Sequence, residues 1–122
     1  MTDKTEIKNI LRWLMQTVSD IEGCSIVSTS GLTIASELMA EAESATFSAL
    51  SADLTKSGEI VASELKIGNV NEIIVNSTKG NIITMVLGKK AFLVCLVRKK
   101  SNIGLVLLHM NRVAHRLLRY IN

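Results

Sequence analysis

The chain has 122 residues and a formal net charge of +3; 48% of its residues are hydrophobic and 20% are charged. This length suits one globular domain over residues 1–122 with a single core, and the apolar content excludes a disordered chain. The longest uninterrupted apolar stretch, residues 91–97, is far shorter than the ~20 residues of a membrane-spanning helix, so we expect a soluble protein.

The first predicted element is an amphipathic helix. Its apolar residues follow the i, i+3, i+4 and i+7 spacing of one helical face and are Ile7, Ile10, Leu11, Leu14, Met15, Val18 and Ile21. Asp3 can cap the N-terminus with Glu6 reaching back to it, and Gly23 can end the helix. Trp13 lies off the apolar face, so we expect it to be partly exposed.

A β-hairpin and a long helix follow. Residues 24–28 and 32–36 are short β-compatible runs on either side of a turn at residues 29–31. Residues 41–65 are rich in Ala, Leu and Glu and lack proline, which predicts a helix with Gly58 as its weak point.

The long helix has two apolar faces. One face consists of Phe47, Leu50, Leu54, Val61 and Leu65. The other, more than a third of a turn away, consists of Ala42, Ala45, Ala49, Ala52 and Ile60. A surface helix of a monomer buries only one stripe, and small residues let a second helix approach closely, so the alanine face predicts a homodimer contact. The alternative is that these alanines only raise helix propensity on a solvated surface.

Three strands and a last helix complete the chain. The strands are predicted at residues 72–77, 82–87 and 91–97, with connections of hairpin length. The last two are apolar almost throughout, so helices should cover both faces of the sheet in a three-layer α/β/α fold. The final helix begins after a cap at Ser101 or Asn102, and its buried stripe is Ile103, Val106, Leu107, Met110, Val113, Ala114, Leu117, Leu118 and Ile121. The predicted order is α-β-β-α-β-β-β-α.

Positive charge is concentrated in the last third. Residues 1–78 contain all 11 acidic side chains and five basic ones, a net charge of −6, whereas residues 79–122 contain nine basic side chains and no acidic one. This asymmetry favours an anionic partner, unless the two halves pack together and partly cancel. Nucleic acid is not expected, because only four aromatic residues are available for base stacking, and neither is a membrane.

The sequence lacks the patterns of the common catalytic and cofactor sites. Neither the phosphate-binding G-x-x-x-x-G-K-[ST] nor the dinucleotide-binding G-x-G-x-x-G occurs. Cys24 and Cys95 lie in apolar strands, suit a reducing cytoplasm, and form no metal-binding spacing with His109 and His115. We expect both histidines to be solvated on the surface, and we expect no enzyme activity, cofactor, metal ion or small-molecule substrate.

Several segments, taken in order, resemble the Roadblock or dynein light chain domain family. They are the first helix leading into Ile21-Glu22-Gly23-Cys24, the turn Ser30-Gly31-Leu32 followed by Ile34-Ala35-Ser36, the helix around residues 45–54, Gly80-Asn81-Ile82, the strand at residues 92–97, and Asn102-Ile103-Gly104-Leu105. The likeness covers almost the whole chain, and it depends on the order and spacing of these segments.

The resemblance implies a five-stranded antiparallel sheet in the order second, first, fifth, fourth, third, with the long helix on one face and the outer helices on the other. Cys24 and Cys95 would then be neighbours on adjacent strands. Dimers of the family join through the long helices and the third strands, which adds Ile73 and Val75 to the predicted dimer interface.

The family consists mostly of dimeric platforms without an active site. Many bind Ras-like small GTPases, some of these stimulate hydrolysis, and others attach to dynein intermediate chains. The resemblance therefore implies a homodimer that binds a Ras-like small GTPase and regulates or scaffolds it. The alternative is a structural adaptor: a dynein-light-chain-like subunit, or a module whose basic surface docks on acidic protein, membrane or nucleic acid. The candidate partner surface consists of Trp13, Lys89, Lys90, Arg112, Arg116 and Arg119.

Overall fold

The computed structural model describes residues 3–38 and 41–121, except for the side chains of residues 41 and 42. The elements in chain order are α1 (Lys4–Thr17), β1 (Ile21–Ser28), β2 (Thr33–Glu37), α2 (Glu41–Glu64), β3 (Glu72–Asn76), β4 (Asn81–Leu87), β5 (Ala91–Val97) and α3 (Ile103–Leu117). The predicted order is confirmed. In the described part of the chain, no helix is both long and apolar enough to cross a membrane.

The two ends of α1 differ in how well the sequence predicted them. Asp3 caps the N-terminus as expected, because its side chain accepts hydrogen bonds from two N–H groups of the first turn. The predicted C-terminus at Gly23 is wrong, since the helix ends at Thr17. Ile21 continues the apolar spacing of the helix but already belongs to the sheet, where it pairs with Val97. The apolar residues therefore keep their helical spacing beyond the residue at which the helix ends.

All five strands form one antiparallel sheet in the order β2-β1-β5-β4-β3, as the resemblance implied. β2 and β3 are its two edges. Cys24 on β1 stands opposite Cys95 on β5, and both are free thiols. The register between β1 and β2 shifts after Ile26, and this bulge leaves Ile34 without a partner residue.

The sheet lies between two helical layers, which confirms the three-layer fold. α1 and α3 cover one face over the larger core, to which Leu11, Leu93 and Met110 belong. α2 covers the other face over a smaller cluster, whose buried residues are Val27, Ala52, Phe92 and Val94. β5 lies in the middle of the sheet and contributes to both, since Leu93 and Phe92 point to opposite faces.

The buried face of α2 is largely polar. Its fully or almost fully buried residues include Ser44, Ser48, Ser51 and Thr55. The Oγ of Ser48 lies 2.6 Å from Oγ1 of Thr33 on β2. Thr55 Oγ1 donates to the carbonyl oxygen of Ser51 at 2.8 Å and lies 3.2 Å from a threonine hydroxyl of β4. These hydrogen bonds offset the cost of burying the Ser48 and Thr55 hydroxyls, whereas the buried Oγ of Ser44 has no hydrogen-bond partner among the described residues. Neither predicted apolar face of this helix is therefore its buried face.

Candidate interaction surfaces

The two cysteines lie side by side beneath α1. Burial raises the pKa of the Cys24 thiol to about 12, and the nearby Glu37 carboxylate adds to the shift. Burial and the neighbouring thiol also raise the pKa of Cys95. Both thiols are therefore protonated at neutral pH and poor nucleophiles. Among the residues that the structure describes, no three His, Cys, Asp or Glu side chains are grouped so that they could hold a metal ion.

The raised thiol pKa predicts a loss of stability in alkali. The unfolded Cys24 thiol loses its proton near its ordinary pKa of 9.0, while the folded protein keeps the proton to about 12. The contribution of the protonated Cys24 thiol to the free energy of unfolding is therefore intact below pH 9 and is lost as the pH rises towards 12. Raising the pH from about 8 to about 10 should lower the free energy of unfolding by about 1.4 kcal/mol through Cys24.

Urea titrations of the parent protein and of Cys24→Ala, at one protein concentration, measure this effect. The variant is less stable at every pH, but its stability should fall about 1.4 kcal/mol less between the two pH values. An equal fall in both proteins would contradict the assignment.

One exposed apolar surface lies on α2 beside the edge strand β3. We call the set Leu50, Leu54, Val61, Leu65 and Val75 the α2–β3 surface; Leu54 is half-buried and the other four are exposed. Gly58 shows that this surface lies next to β3. The glycine faces β3 and lies one helical turn from both Leu54 and Val61. A Cβ at Gly58 would lie only 2.5 Å from Cδ1 of Ile73, so the glycine permits the close approach of β3 to this flank.

The predicted dimer residues do not form one surface. Ala45 and Ala49 line a groove along β2, at the opposite edge of the sheet from β3, and the Cα of Ala49 would lie 3.4 Å from a Cβ at Gly31. Ala52 is buried in the small cluster under α2, so its assignment to a dimer interface is wrong.

The other predicted dimer residues have mixed positions. Ile60 and Val75 are exposed, Ile73 is half-buried against Gly58, and the side chain of Ala42 lies outside the described residues. The helical wheel gave the angles between the two faces correctly. It could not show that the sheet covers a third, hydroxyl-rich face.

A second exposed surface lies where α1 and α3 pack side by side. Trp13 of α1 is 41% exposed, which agrees with its predicted partial exposure. The guanidinium carbon of Arg116 lies 5.4 Å from the centroid of its ring, and the His109 ring lies 6.4 Å away at an angle of 59°. Both α3 side chains therefore hold the indole in place, Arg116 through a cation–π contact. We call Trp13, His109, Arg112, Arg116 and Arg119 the Trp13 surface.

His109 is the member of this surface that the sequence analysis missed. The expectation that it is a solvated histidine is wrong, because it is half-buried and its Nδ1 is a buried atom without a hydrogen-bond partner. A signal was present, since His109 and Arg116 are seven residues apart and share one flank of α3. The sequence did not show that Trp13 lies beside that flank.

The two turn lysines lie apart from the Trp13 surface. Lys89 and Lys90 belong to the turn between β4 and β5, and a Cβ at Gly88 would lie 3.4 Å from Cδ2 of Leu118. Lys89 lines a groove together with His115 of α3 and with Leu118, the residue after the helix, on the flank that faces away from Trp13. The predicted partner surface is thus divided into two by α3.

The arginines of α3 and of the turn that follows it have no acidic partner among the described residues. The one ion pair among the described residues joins Arg12 Nε to Glu37 Oε1 at 3.5 Å and links α1 to β2. Arg112, Arg116 and Arg119 are exposed, and no carboxylate oxygen of the residues that the structure describes is in ion-pair contact with them. Within residues 3–38 and 43–121, the positive charge of the last third is therefore not cancelled by direct pairing with the acidic part.

Comparison with known proteins agrees with this architecture. The family model of the Roadblock/LC7 domain matches residues 8–97, from α1 to the end of β5. No curated protein sequence matches the chain significantly. The solved Roadblock/LC7 domain from Streptomyces avermitilis has a TM-score of 0.88 and 16% identity over 91% of this chain and 93% of that one.

Two MglB structures are similarly close in fold. MglB from Myxococcus xanthus has a TM-score of 0.86 and 16% identity, over 94% of each chain. A structure of MglB with a tetrameric arrangement has a TM-score of 0.86 and 18% identity, over 96% of this chain and 88% of that one. These structures share the three helices and the five-stranded antiparallel sheet. Because the family match covers most of its length, the chain belongs to the Roadblock/LC7 domain family.

Proposed function

We propose that the protein is a homodimeric, non-catalytic Roadblock/LC7 module that binds a Ras-like small GTPase in the cytoplasm and regulates or scaffolds it. The observation that carries the proposal is the α2–β3 surface, where an exposed apolar helix flank borders an open sheet edge. Family membership supports the GTPase as the partner, because many Roadblock domains bind such proteins.

The α2–β3 surface has the properties of a contact between two copies. Leu50, Val61 and Leu65 are each more than half exposed. Burying a side chain of this size contributes roughly 1.5–3 kcal/mol, and a two-fold axis would bury each residue twice. β3 adds unpaired backbone groups that a second β3 could pair in antiparallel fashion. An MglB structure of the same fold is described with a tetrameric arrangement, which supports self-association.

Nucleotide chemistry in this proposal belongs to the GTPase. The sequence has no phosphate-binding loop, and both buried thiols are protonated at neutral pH. The module would act by holding or reorienting residues of its partner, so its effect depends on which nucleotide state of the GTPase it binds.

The test uses a Ras-like GTPase from the same organism, loaded with GDP or with a non-hydrolysable GTP analogue. Titration calorimetry should give Kd values for the two states that differ by about tenfold or more, which corresponds to about 1.4 kcal/mol. Binding should persist in moderate salt, because an interface with apolar contacts is screened less than one built from exposed charges. Absence of binding in both nucleotide states would refute the proposed function.

A further inference from the structure

The outer face of α3 carries an unbroken stripe of exposed side chains that changes character along its length. Its members recur every three or four residues and are Leu105, Leu108, Arg112, Arg116 and Arg119. The N-terminal part of the stripe is apolar and the C-terminal part is cationic. Because α1 packs beside α3, the stripe borders the groove between these two helices. A third helix can pack into such a groove.

We propose that the Trp13 surface and this stripe bind an amphipathic helix of a protein partner, with carboxylates against the arginines and an apolar end against Leu105 and Leu108. The site lies on the opposite face of the sheet from α2. It therefore does not depend on the proposed dimer or on GTPase binding, and either proposal can fail without the other.

Arg116 is preorganised for a carboxylate. Its guanidinium lies over the indole of Trp13, a contact that restrains the group, and the residue is exposed to solvent. A planar guanidinium held in this way can donate two parallel hydrogen bonds to one carboxylate. No carboxylate of the described residues is in ion-pair contact with Arg116, since their one ion pair joins Arg12 to Glu37.

The spacing of the arginines indicates a helical ligand. Arg112 and Arg116 occupy positions i and i+4 of α3, and Arg119 follows at i+7, two residues beyond the end of the helix. A partner helix aligned with α3 presents acidic side chains at the same intervals along one of its faces. The exposed residues one helical turn from Trp13 on α1, namely Asn9, Gln16 and Thr17, are uncharged and do not repel such a partner, whereas Glu6 lies two turns away.

Other anionic partners fit the surface less well. A single-stranded nucleic acid needs several stacking platforms, and the remaining aromatic side chains are unsuitable because Phe92 is buried and Phe47 and Tyr120 are half-buried. A lipid surface is favoured by aromatic rings that are free to insert, whereas Trp13 is held between Arg116 and His109. Trp and Arg are also the residues most enriched at the centres of protein interfaces.

Trp13 is the only tryptophan of the chain, so the unmodified protein reports binding at this site by its fluorescence. The probe is a labelled alanine-based helical peptide with glutamates at i, i+4 and i+7 followed by two leucines, together with a matched peptide in which glutamine replaces each glutamate. The glutamate peptide should change the emission of Trp13 and bind measurably by anisotropy at about physiological ionic strength. The glutamine peptide should bind at least about tenfold more weakly.

Two double variants with the same loss of charge locate the site. Arg112→Gln/Arg116→Gln should weaken peptide binding by about tenfold or more, because it removes two charged donors, including the one that Trp13 holds. Lys89→Gln/Lys90→Gln removes two charges from the other side of α3 and should leave affinity within about twofold. Circular dichroism and the urea midpoint establish that each variant is folded.

Three results would overturn the proposal. The first is no response to the glutamate peptide up to the millimolar range. The second is an equal loss of affinity in both double variants, which would mean attraction by net charge alone. The third is a larger change of Trp13 emission with phosphatidylserine-containing vesicles or a DNA duplex than with the peptide, which would assign the surface to lipid or nucleic acid.

Discussion

Val61→Glu is expected to convert the proposed dimer into a monomer. Val61 is 56% exposed in the single chain and belongs to the flank of α2 that borders β3. In a two-fold contact both copies would bury an unpaired carboxylate, at a cost of about 3–5 kcal/mol, so the dimer Kd should rise roughly a thousandfold. Glutamate is a good helix former, so α2 itself should not be weakened.

Sedimentation equilibrium at micromolar concentrations measures this effect, with Ala49→Glu as the matched control. Ala49 lies on the same helix, is exposed, and carries the same new charge in the variant, but it faces the groove along β2. The control should remain dimeric. A monomeric parent protein, or an equal loss of association in both variants, would show that the α2–β3 surface is not the contact.

Phe92→Ala is expected to have the largest effect on stability, with a loss of about 4 kcal/mol. Phe92 is the largest of the four buried residues between α2 and the sheet, and the half-buried side chains of Phe47, Ile82 and Val86 pack against this small cluster. Without the ring, the cluster loses its largest side chain and α2 is held less tightly. Hydrogen exchange should therefore accelerate in α2 far more than in α1 and α3.

The control is Leu93→Ala, a substitution at the next residue of β5 whose side chain points to the opposite face of the sheet. Leu93 is also fully buried, but it points into the larger core under α1 and α3. The loss of stability should be similar, about 3–4 kcal/mol, while exchange should accelerate in all elements because that core supports the whole domain. If Phe92→Ala also accelerated exchange uniformly, α2 would not be a separately stabilised unit.

The elements that could be predicted from sequence are those in which burial and hydrophobicity coincide. α3 has its apolar stripe on the covered side, and β5 is apolar on both faces because both are covered. α2 breaks this rule. Ser48 and Thr55 are buried because other hydroxyls of the fold bond to them, whereas Leu50 and Val61 are exposed. Hydrophobic periodicity alone cannot distinguish a surface for a partner from a core.

The Trp13 surface could be predicted in part. The exposure of Trp13 and the outward direction of Arg112 and Arg119 follow from helical geometry within single elements. The contact of Trp13 with Arg116 and His109 depends on how α1 and α3 lie on the sheet, which no local pattern encodes. The same long-range arrangement separates the turn lysines from the arginines, although both belong to one basic stretch of sequence.

The bulge between β1 and β2 has a consequence for the size of the assembly. In a dimer joined through β3, the two β2 strands would be the ends of a continuous sheet, and exposed sheet ends can recruit further chains into fibres. The bulge at Ile34 bends this edge, the strand has only five residues, and Glu37 at its end is held by Arg12. These features make β2 a poor template, so growth of the sheet should stop at two copies and the protein should resist aggregation.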